Sequence, residues 1–269
     1  MVPLGFNRTL QNIHQHLRGV NGWLSDREME FLALAAACPT TAGDILEIGS
    51  FRGRSTIALA HAARLADPKI AGHNTRLHAV DPMLDDDVLL DRPISSGEAR
   101  REFDDNLSRA GVSSDVTFHQ AFSYELAPQW SQSLRLLWID GDHSYASTKQ
   151  DYDLFVPHLA DGGILAMHDV LSPYDGCIRV FLEEVLPDPH FAAVGLCGSI
   201  GWAQFWQRPR ATRPQQAEKA RLTSKLLKLL PYQTQQKPLR GLRKLHYKWL
   251  RSQVPHHKID AQRWVQQVA

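Results

Sequence analysis

The feature that most constrains the fold is the alternation of short apolar runs with longer amphipathic segments. The apolar runs have the length of buried strands and are, in order, "GDILEIG", "TRLHAVD", "VTFHQAF", "LRLLWID" and "GILAMHD". Segments with helical spacing separate most of them, and such alternation predicts a parallel sheet covered on both faces. Two later runs, "HFAAVGLC" and "GWAQFWQ", are close enough to pair antiparallel. The sequence therefore predicts an α/β fold with a doubly wound, seven-stranded, mostly parallel sheet.

Two helix boundaries can be predicted from local signals. Ser25 and Glu28 form a capping-box pattern at the start of "DREMEFLALAAAC". The segment "SYASTKQDYDLFVPHLA" is predicted to be helical and to be stopped by the "DGG" of residues 161–163.

Composition limits the kind of protein. The 269 residues are 43% hydrophobic, which is enough for one large domain or for one domain with an appendage. Three widely spaced cysteines without a CxxC pair argue against a disulfide framework or a cysteine zinc site. The first twenty residues contain no apolar stretch of signal-peptide length, and no window approaches the roughly 18 apolar residues of a membrane span. We expect a cytoplasmic protein.

The charge is distributed unevenly along the chain. Residues 207–269 hold 15 Lys/Arg and two acids, a net charge of +13, whereas residues 1–206 have a net charge of −12. We therefore expect a domain over 1–206, with an N-terminal helical lid, and a basic amphipathic helical extension over 207–269. The extension could dock on the acidic domain, mediate oligomers or lie on an anionic membrane surface. Nucleic acid is the least favoured partner.

A glycine-rich turn follows the first predicted strand in "LEIGSFRGRST", residues 46–56. Its G-x-x-x-G spacing is neither the dinucleotide fingerprint nor a P-loop, and a purely structural turn is the alternative reading. Asp81 ends the second strand, where a carboxylate can take both hydroxyls of a ribose. In a doubly wound sheet, ligands bind beyond the carboxyl ends of the strands. A glycine turn and an acid at these two places together indicate a nucleoside cofactor.

Polar residues also end the fourth and fifth predicted strands. Asp140 ends one strand, and His168 and Asp169 end the next. Adjacent parallel strands would bring these three side chains to one rim, where two carboxylates and an imidazole suit Mg²⁺ or another divalent cation. Asp142 is expected to cap the following helix.

Five of these motifs in the same order resemble class I S-adenosylmethionine-dependent methyltransferases. They are "EIGSFRGRST", "AVDP", "WIDGDHSY", "DGGILAMHD" and "GSIGWAQFW". The chain is most similar to methyltransferase family 24, which includes sugar and macrolide-sugar O-methyltransferases and cephalosporin-hydroxylase-like proteins. The resemblance covers residues 20–206.

The resemblance implies a set of cofactor contacts. Asp81 would bind the ribose, Ser123 would lie near the adenine with Phe122 able to stack on it, and Asp140 would lie where the cofactor meets the acceptor. The methionine end of S-adenosylmethionine would be held by Glu47, Gly49, Ser50, Phe51, Gly53 and Ser55.

The resemblance also implies a mechanism. His143, three residues after Asp140, is expected to act as general base, because an imidazole with a pKa near 6.5 can take a proton at neutral pH. A helix-capping or packing role is the alternative for His143. Asp140, His168 and Asp169 would hold the metal in the metal-dependent relatives, although those relatives carry a carboxylate where this chain has His168.

The predicted function is methyl transfer to an acceptor hydroxyl, with a sugar or glycan as the expected substrate. A nucleoside-cofactor oxidoreductase is disfavoured by the missing G-x-G-x-x-G spacing. A catalytically idle methyltransferase-like binding module remains the other alternative. The acceptor pocket is expected to use the variable segment 82–98 and the N-terminal helix.

Overall fold

The computed structural model describes residues 1–73, 75–84, 97–172, 174–233 and 239–269, together with the backbone of Asp86–Asp87 and Arg92–Pro93. These two short strands pair antiparallel in a separate sheet. Most of the expected acceptor segment, 82–98, therefore lies outside the described residues.

A seven-stranded sheet forms the centre of the molecule. Its strands in chain order are β1 (Asp44–Ile48), β2 (Leu77–Val80), β3 (Val116–His119), β4 (Leu134–Ile139), β5 (Leu159–Met167), β6 (Phe191–Cys197) and β7 (Ile200–Phe205). The spatial order is β3-β2-β1-β4-β5-β7-β6, and only β7 runs antiparallel to both of its neighbours. The predicted doubly wound, mostly parallel sheet is confirmed, as is the antiparallel pairing of the two late strands. The reversal of strand order falls between β1 and β4.

Helices cover both faces of the sheet. They are α1 (Phe6–His16), α2 (Asp26–Ala37), α3 (Arg54–Ala63), α4 (Glu98–Arg109), α5 (Tyr145–Phe155), α6 (Asp175–Val180), α7 (Arg213–Gln233), α8 (Gly241–Ser252) and α9 (Ala261–Val268). Short helical turns occupy Pro68–Ala71 and Ser123–Leu126, and a π-helical turn, Phe181–Val185, continues α6. One apolar core packs α1–α4 and α9 on one face, and a second packs α5–α7 on the other. Most sheet positions are buried, as expected for parallel strands between two helical layers, whereas the edge strand β3 is only partly buried.

The boundary between α5 and β5 differs from the prediction. The helix ends at Phe155, and β5 begins at Leu159, so that the "DGG" of residues 161–163 lies inside the strand. Gly163 passes so close to β4 that a Cβ there would lie 2.9 Å from the carbonyl oxygen of Leu134. The register of β4 and β5 shifts at this point. The glycines therefore permit a bulge in the strand instead of ending the helix.

One arginine adds polar contacts to the apolar packing between the N-terminal segment and the sheet domain. The guanidinium group of Arg54, at the start of α3, donates hydrogen bonds to the carbonyl oxygens of Leu17 (3.1 Å), Val20 (2.9 Å) and Leu24 (3.3 Å). The link between α1 and α2 is thereby held beside the glycine turn that precedes α3. A lid role for this segment stays a prediction.

The C-terminal extension is helical, as predicted, and it packs on the sheet domain mainly through apolar side chains. Leu222, Leu226 and Leu229 of α7 are buried in the second core. Trp264 of α9 is 1% exposed, with its ring centroid 5.9 Å from those of Phe31 and Trp202. Among the described residues, no helix combines the length and apolar character needed to cross a bilayer.

Candidate active site

The glycine turn lies at the edge of the sheet, where the strand order reverses. Gly49 has φ 86°, and a Cβ on it would lie 2.1 Å from the carbonyl oxygen of Asp140 at the end of β4. Gly53 has φ 84° and packs against Leu107 of α4. Phe51 also has a positive φ, 44°, which is uncommon outside glycine and marks local strain. The turn therefore needs glycine at both positions and brings the ends of β1 and β4 together.

Asp81 holds the glycine turn from the end of β2. One of its carboxylate oxygens, Oδ2, accepts hydrogen bonds from the backbone N–H groups of Ser50 and Phe51, both at 2.9 Å. Its other oxygen, Oδ1, accepts from the backbone N–H of Met83 at 2.7 Å. Asp81 thus meets two of the predicted cofactor residues, and its carboxylate keeps acceptor capacity beyond these three bonds.

Glu47 is completely buried directly before the turn. Burial raises its pKa to about 7, although the nearby hydroxyl groups of Ser55, Thr56 and Ser50 lower it. The hydroxyl of Thr56 donates to its Oε2 at 2.5 Å. Among the described side chains, Glu47 Oε1 and Ser50 Oγ are buried polar atoms without a geometrically acceptable hydrogen-bond partner. Such atoms are uncommon in a folded protein and are expected to be satisfied by water or a ligand.

Asp140, His143 and Asp169 converge on the same rim. His143 Nε2 lies 2.7 Å from Asp169 Oδ2 and 3.9 Å from Asp140 Oδ1. One potential ligand atom from each residue lies within 4.8 Å of the others. Asp169 has φ 58° directly after β5, and Ser172 Oγ donates to its other oxygen at 2.5 Å. The aromatic ring of Tyr174 stacks on His143 at 4.4 Å.

The carboxylates set the protonation of His143. Burial alone would lower its pKa, but the hydrogen bond and charge of Asp169, with the charge of Asp140, raise the pKa above its ordinary value. Burial would likewise raise the pKa of Asp169, but the hydrogen bond from His143 and the charge of His168 hold it below its usual range. His143 and Asp169 therefore form an ion pair whose imidazolium is favoured.

His168 lies behind this group. Its side chain is 5% exposed, with Nδ1 2.9 Å from Asp140 and Nε2 3.8 Å from Glu28. Burial would lower its pKa, but the charge and hydrogen bond of Asp140 and the neighbouring carboxylate of Glu28 raise it to about 11. The imidazole of His168 would have to lose its proton before it could bind a metal. Ligand atoms of Asp140, His143 and Asp169 lie within 4.8 Å of one another. The predicted ligand set, with His168 in place of His143, stays a prediction.

Glu28 was missed as a member of this site by sequence reasoning. Ser25 and Glu28 form the predicted capping box, with the backbone N–H of Ser25 2.9 Å from Glu28 Oε2. The same carboxylate also accepts from the backbone N–H and hydroxyl of Ser199, at 2.5 and 2.7 Å. Despite the effect of burial, the neighbouring imidazole of His168 and the hydrogen bonds from Ser199 and Ser25 hold the pKa of Glu28 well below its usual range. The capping pattern was the only local signal for Glu28. It does not indicate that Glu28 contacts Ser199 and His168, which are distant from it in sequence.

Ser123 reaches the loop after β4 through Asp151, whose carboxylate lies beside Gly141. Its hydroxyl donates to the buried carboxylate of Asp151 in α5, whose pKa burial raises to about 6. Phe122, 39% exposed, stacks on Tyr124 with a centroid distance of 5.2 Å. Asp142 holds the loop before α5 by accepting from the hydroxyl of Ser144 at 2.8 Å, while Ser144 is itself the N-cap. The predicted capping role therefore falls to Ser144, supported by Asp142.

The strand order and the turn at its reversal define a Rossmann-like methyltransferase fold. Residues 46–170 match the family 24 model described as a methyltransferase domain. The predicted resemblance is confirmed, and the chain contains a methyltransferase domain.

Three solved structures illustrate the likeness. The O-methyltransferase NovP is 14% identical, with 76% of this chain and 99% of that chain covered and a TM-score of 0.56. An O-methyltransferase from Bacillus cereus in complex with SAH is 18% identical, with 73% and 90% covered and a TM-score of 0.52. A cofactor-bound protein from MTB, Rv0187, is 19% identical, with 77% and 93% covered and a TM-score of 0.52. At these identities the likeness establishes the fold.

Proposed function

We propose that the protein transfers the methyl group of S-adenosylmethionine to an acceptor hydroxyl, as an O-methyltransferase acting on a sugar or glycan. The observation that carries the proposal is the His143–Asp169 pair at the rim of the crevice that contains the glycine turn. An aliphatic hydroxyl stays protonated at neutral pH, so its attack on a methyl group benefits from a base in this place. A sugar hydroxyl is such a group.

The cofactor fits the turn described above. Glu47 Oε1 and Ser50 Oγ are buried polar atoms for which a ligand could supply a partner. Gly49, Phe51, Gly53 and Ser55 would shape the contact with the methionine end. The remaining acceptor capacity of Asp81 would serve the ribose, and Phe122 with Ser123 would border the adenine. The solved neighbour from Bacillus cereus was crystallised in complex with SAH, which supports this assignment.

The chain positions both reactants for an in-line displacement and excludes water from them. His143 Nε2 faces Asp169, which leaves Nδ1 as the atom that can take the acceptor proton. Asp169 orients the ring and stabilises the imidazolium formed when the proton arrives. Asp140, between His143 and His168, lies where the cofactor would meet the acceptor.

A divalent cation also fits this rim. Its ligands would be Asp140, Asp169 and a deprotonated His143, because their ligand atoms lie within 4.8 Å of one another and two carboxylates with a neutral imidazole suit such ions. His143 bound in this way would not also act as the base. When bound, the ion would polarise the acceptor hydroxyl and lower its pKa. His168 would keep its proton and hold Asp140 from behind.

The first experiment is calorimetric titration with S-adenosylmethionine and with NAD, followed by transfer of radiolabelled methyl groups to pools of glycans and phenols. We expect binding of S-adenosylmethionine and labelling of a glycan hydroxyl. Binding of NAD alone would overturn the proposal in favour of an oxidoreductase. Cofactor binding without transfer to any acceptor would favour a binding module.

The second experiment tests the base. His143→Ala should lower kcat by about 10²- to 10⁴-fold, whereas its neighbour Asp142→Asn, which alters loop support only, should stay within about tenfold. Activity should rise with pH through a midpoint above 6.5, because the pKa of His143 is raised. Asp169→Asn should move that midpoint downward by removing the charge that raises it. An unchanged midpoint in Asp169→Asn would contradict the assigned pair.

A further inference from the structure

Helix α8 presents an apolar stripe that faces away from the rest of the chain. Leu242, Leu245 and Trp249 are 83%, 63% and 59% exposed. Their spacing places them on one side of the helix. The opposite side carries Tyr247 and Leu250, which pack against the second core. The helix is thus anchored on one side and has a large apolar surface on the other, a pattern that indicates a partner.

Cations surround this stripe. Arg240, Arg243, Lys244 and Lys248 are exposed within or beside α8. Between residues 219 and 259 the sequence contains no Asp or Glu. The apolar stripe therefore lies within a strongly positive surface.

A groove of about 530 Å³ separates α7 from α8 beside the stripe. It is lined by cationic and aromatic side chains, among them Lys228, Tyr232, Arg243, His246 and Trp249. The hydroxyl of Tyr232 and Nδ1 of His246 lie 2.5 Å apart, and the ring of His246 stacks on Trp249 at 5.8 Å. Cations with indole and phenol rings match the phosphate and interfacial region of a lipid bilayer.

We propose that α8 and this groove form a docking surface for an anionic lipid bilayer. An interfacial helix inserts an apolar face at the level of the headgroups and is attracted by neighbouring Lys and Arg to anionic lipid. Both elements are present on α8. A nucleic acid would use the cations but leave the two exposed leucines in water, and a symmetric contact with the same surface of a second copy would bring one positive surface against another. An anionic bilayer is the partner that can both bury the apolar stripe and attract the surrounding positive charge.

Docking here would also orient the candidate active site. The hydroxyl of Tyr247 in α8 donates to the carbonyl oxygen of Leu171 at 2.8 Å. The side-chain amide of Gln233, at the end of α7, donates to the carbonyl oxygens of Val170 (3.2 Å) and Ser172 (2.5 Å). These three carbonyls directly follow Asp169. Helix α8 and the end of α7 are therefore hydrogen-bonded to the segment that directly follows Asp169, at the rim that also carries His143.

The test is co-sedimentation of the full chain with vesicles of phosphatidylcholine alone or mixed with phosphatidylglycerol. We expect binding to the mixed vesicles only, weakened by salt. Lys244→Gln with Lys248→Gln should weaken it by about 30-fold, and Leu242→Ser with Leu245→Ser by at least about tenfold. The matched controls are Arg18→Gln with Lys69→Gln and Leu4→Ser with Ile70→Ser, exposed positions outside the extension that should leave binding unchanged. Circular dichroism would check that each variant is folded.

Several outcomes would overturn the proposal. These are no sedimentation of the wild type, equal binding to both kinds of vesicle, or undiminished binding by the α8 variants. Binding to an oligonucleotide without binding to either vesicle would assign the surface to nucleic acid instead. Because the readout is sedimentation, it does not depend on methyl transfer.

Discussion

The buried cation His168 offers the sharpest test of how the site is stabilised. Replacing it by glutamine keeps a side chain of similar size and removes the positive charge between Asp140 and Glu28. A pKa raised from 6.5 to about 11 corresponds to about 6 kcal/mol of stabilisation at 1.36 kcal/mol per unit. Removing one partner of a buried pair costs about 3–5 kcal/mol, and we expect His168→Gln to fall in that range.

The expected loss depends on pH in a defined direction. Because the pKa of His168 is higher in the folded state, its stabilisation is complete below about pH 6.5, the unfolded value. It declines by about 1.4 kcal/mol per pH unit above that and is lost as the pH passes about 11. Urea unfolding of wild type and variant at a series of pH values would measure this difference.

A second variant separates charge from packing. Glu28→Gln retains an oxygen that can accept from Ser25 and Ser199 but removes the buried negative charge. In the His168→Gln background it should therefore restore part of the lost stability, since Glu28 would otherwise be uncompensated. The reasoning would be refuted by a loss below about 1 kcal/mol at pH 6.5, or by a loss that does not change with pH.

Three further predictions concern the turn, the extension and the metal. Gly49→Ala should weaken the binding of S-adenosylhomocysteine, measured by calorimetry, at least about tenfold, because the new Cβ would lie 2.1 Å from the carbonyl oxygen of Asp140. The control is Gly111→Ala, which should leave this binding unchanged because a Cβ there has no neighbour within 4 Å. Trp264→Ala should lower the free energy of unfolding in urea by about 3–5 kcal/mol, and exposed Trp249→Ala by about 0.5 kcal/mol or less. If a divalent ion assists transfer, chelation should lower methyl-transfer activity and Mg²⁺ or Mn²⁺ should restore it; activity unaffected by chelation would exclude that assistance.

The main architecture could be predicted because each strand carries its own signal. Runs such as "LRLLWID" are mostly apolar and the strand within it is buried along its whole length, and parallel strands between helical layers favour that pattern. The "DGG" segment misled the prediction because glycine has two uses. It can end a helix or let two strands approach closely, and only the contact of Gly163 with Leu134 distinguishes them.

The position of a site residue could be predicted from the sequence when the residue directly follows a strand. Contacts between side chains from elements distant in sequence could not be predicted. Asp140 and Asp169 follow adjacent strands, so their proximity follows from topology. The pairing of His143 with Asp169 and of His168 with Glu28 depends on side-chain directions and on the packing of α2 against the sheet. The spacing of residues along the sequence indicates neither of these two pairings. The exposed stripe of α8 was visible as an amphipathic pattern, but its burial or exposure depended on the tertiary packing.

The contacts of Asp81 have a consequence for the kinetics and energetics of cofactor capture. Its carboxylate fixes the amides of Ser50 and Phe51, so contacts within the protein shape the strained turn. Ordering a loop during association reduces affinity, and a preformed loop avoids that reduction. The ribose hydroxyls would then meet an acid whose orientation is set by the protein. Asp81→Asn would thus act twice, by weakening a sugar contact and by loosening the turn, and its effect on affinity should exceed that of losing a single hydrogen bond.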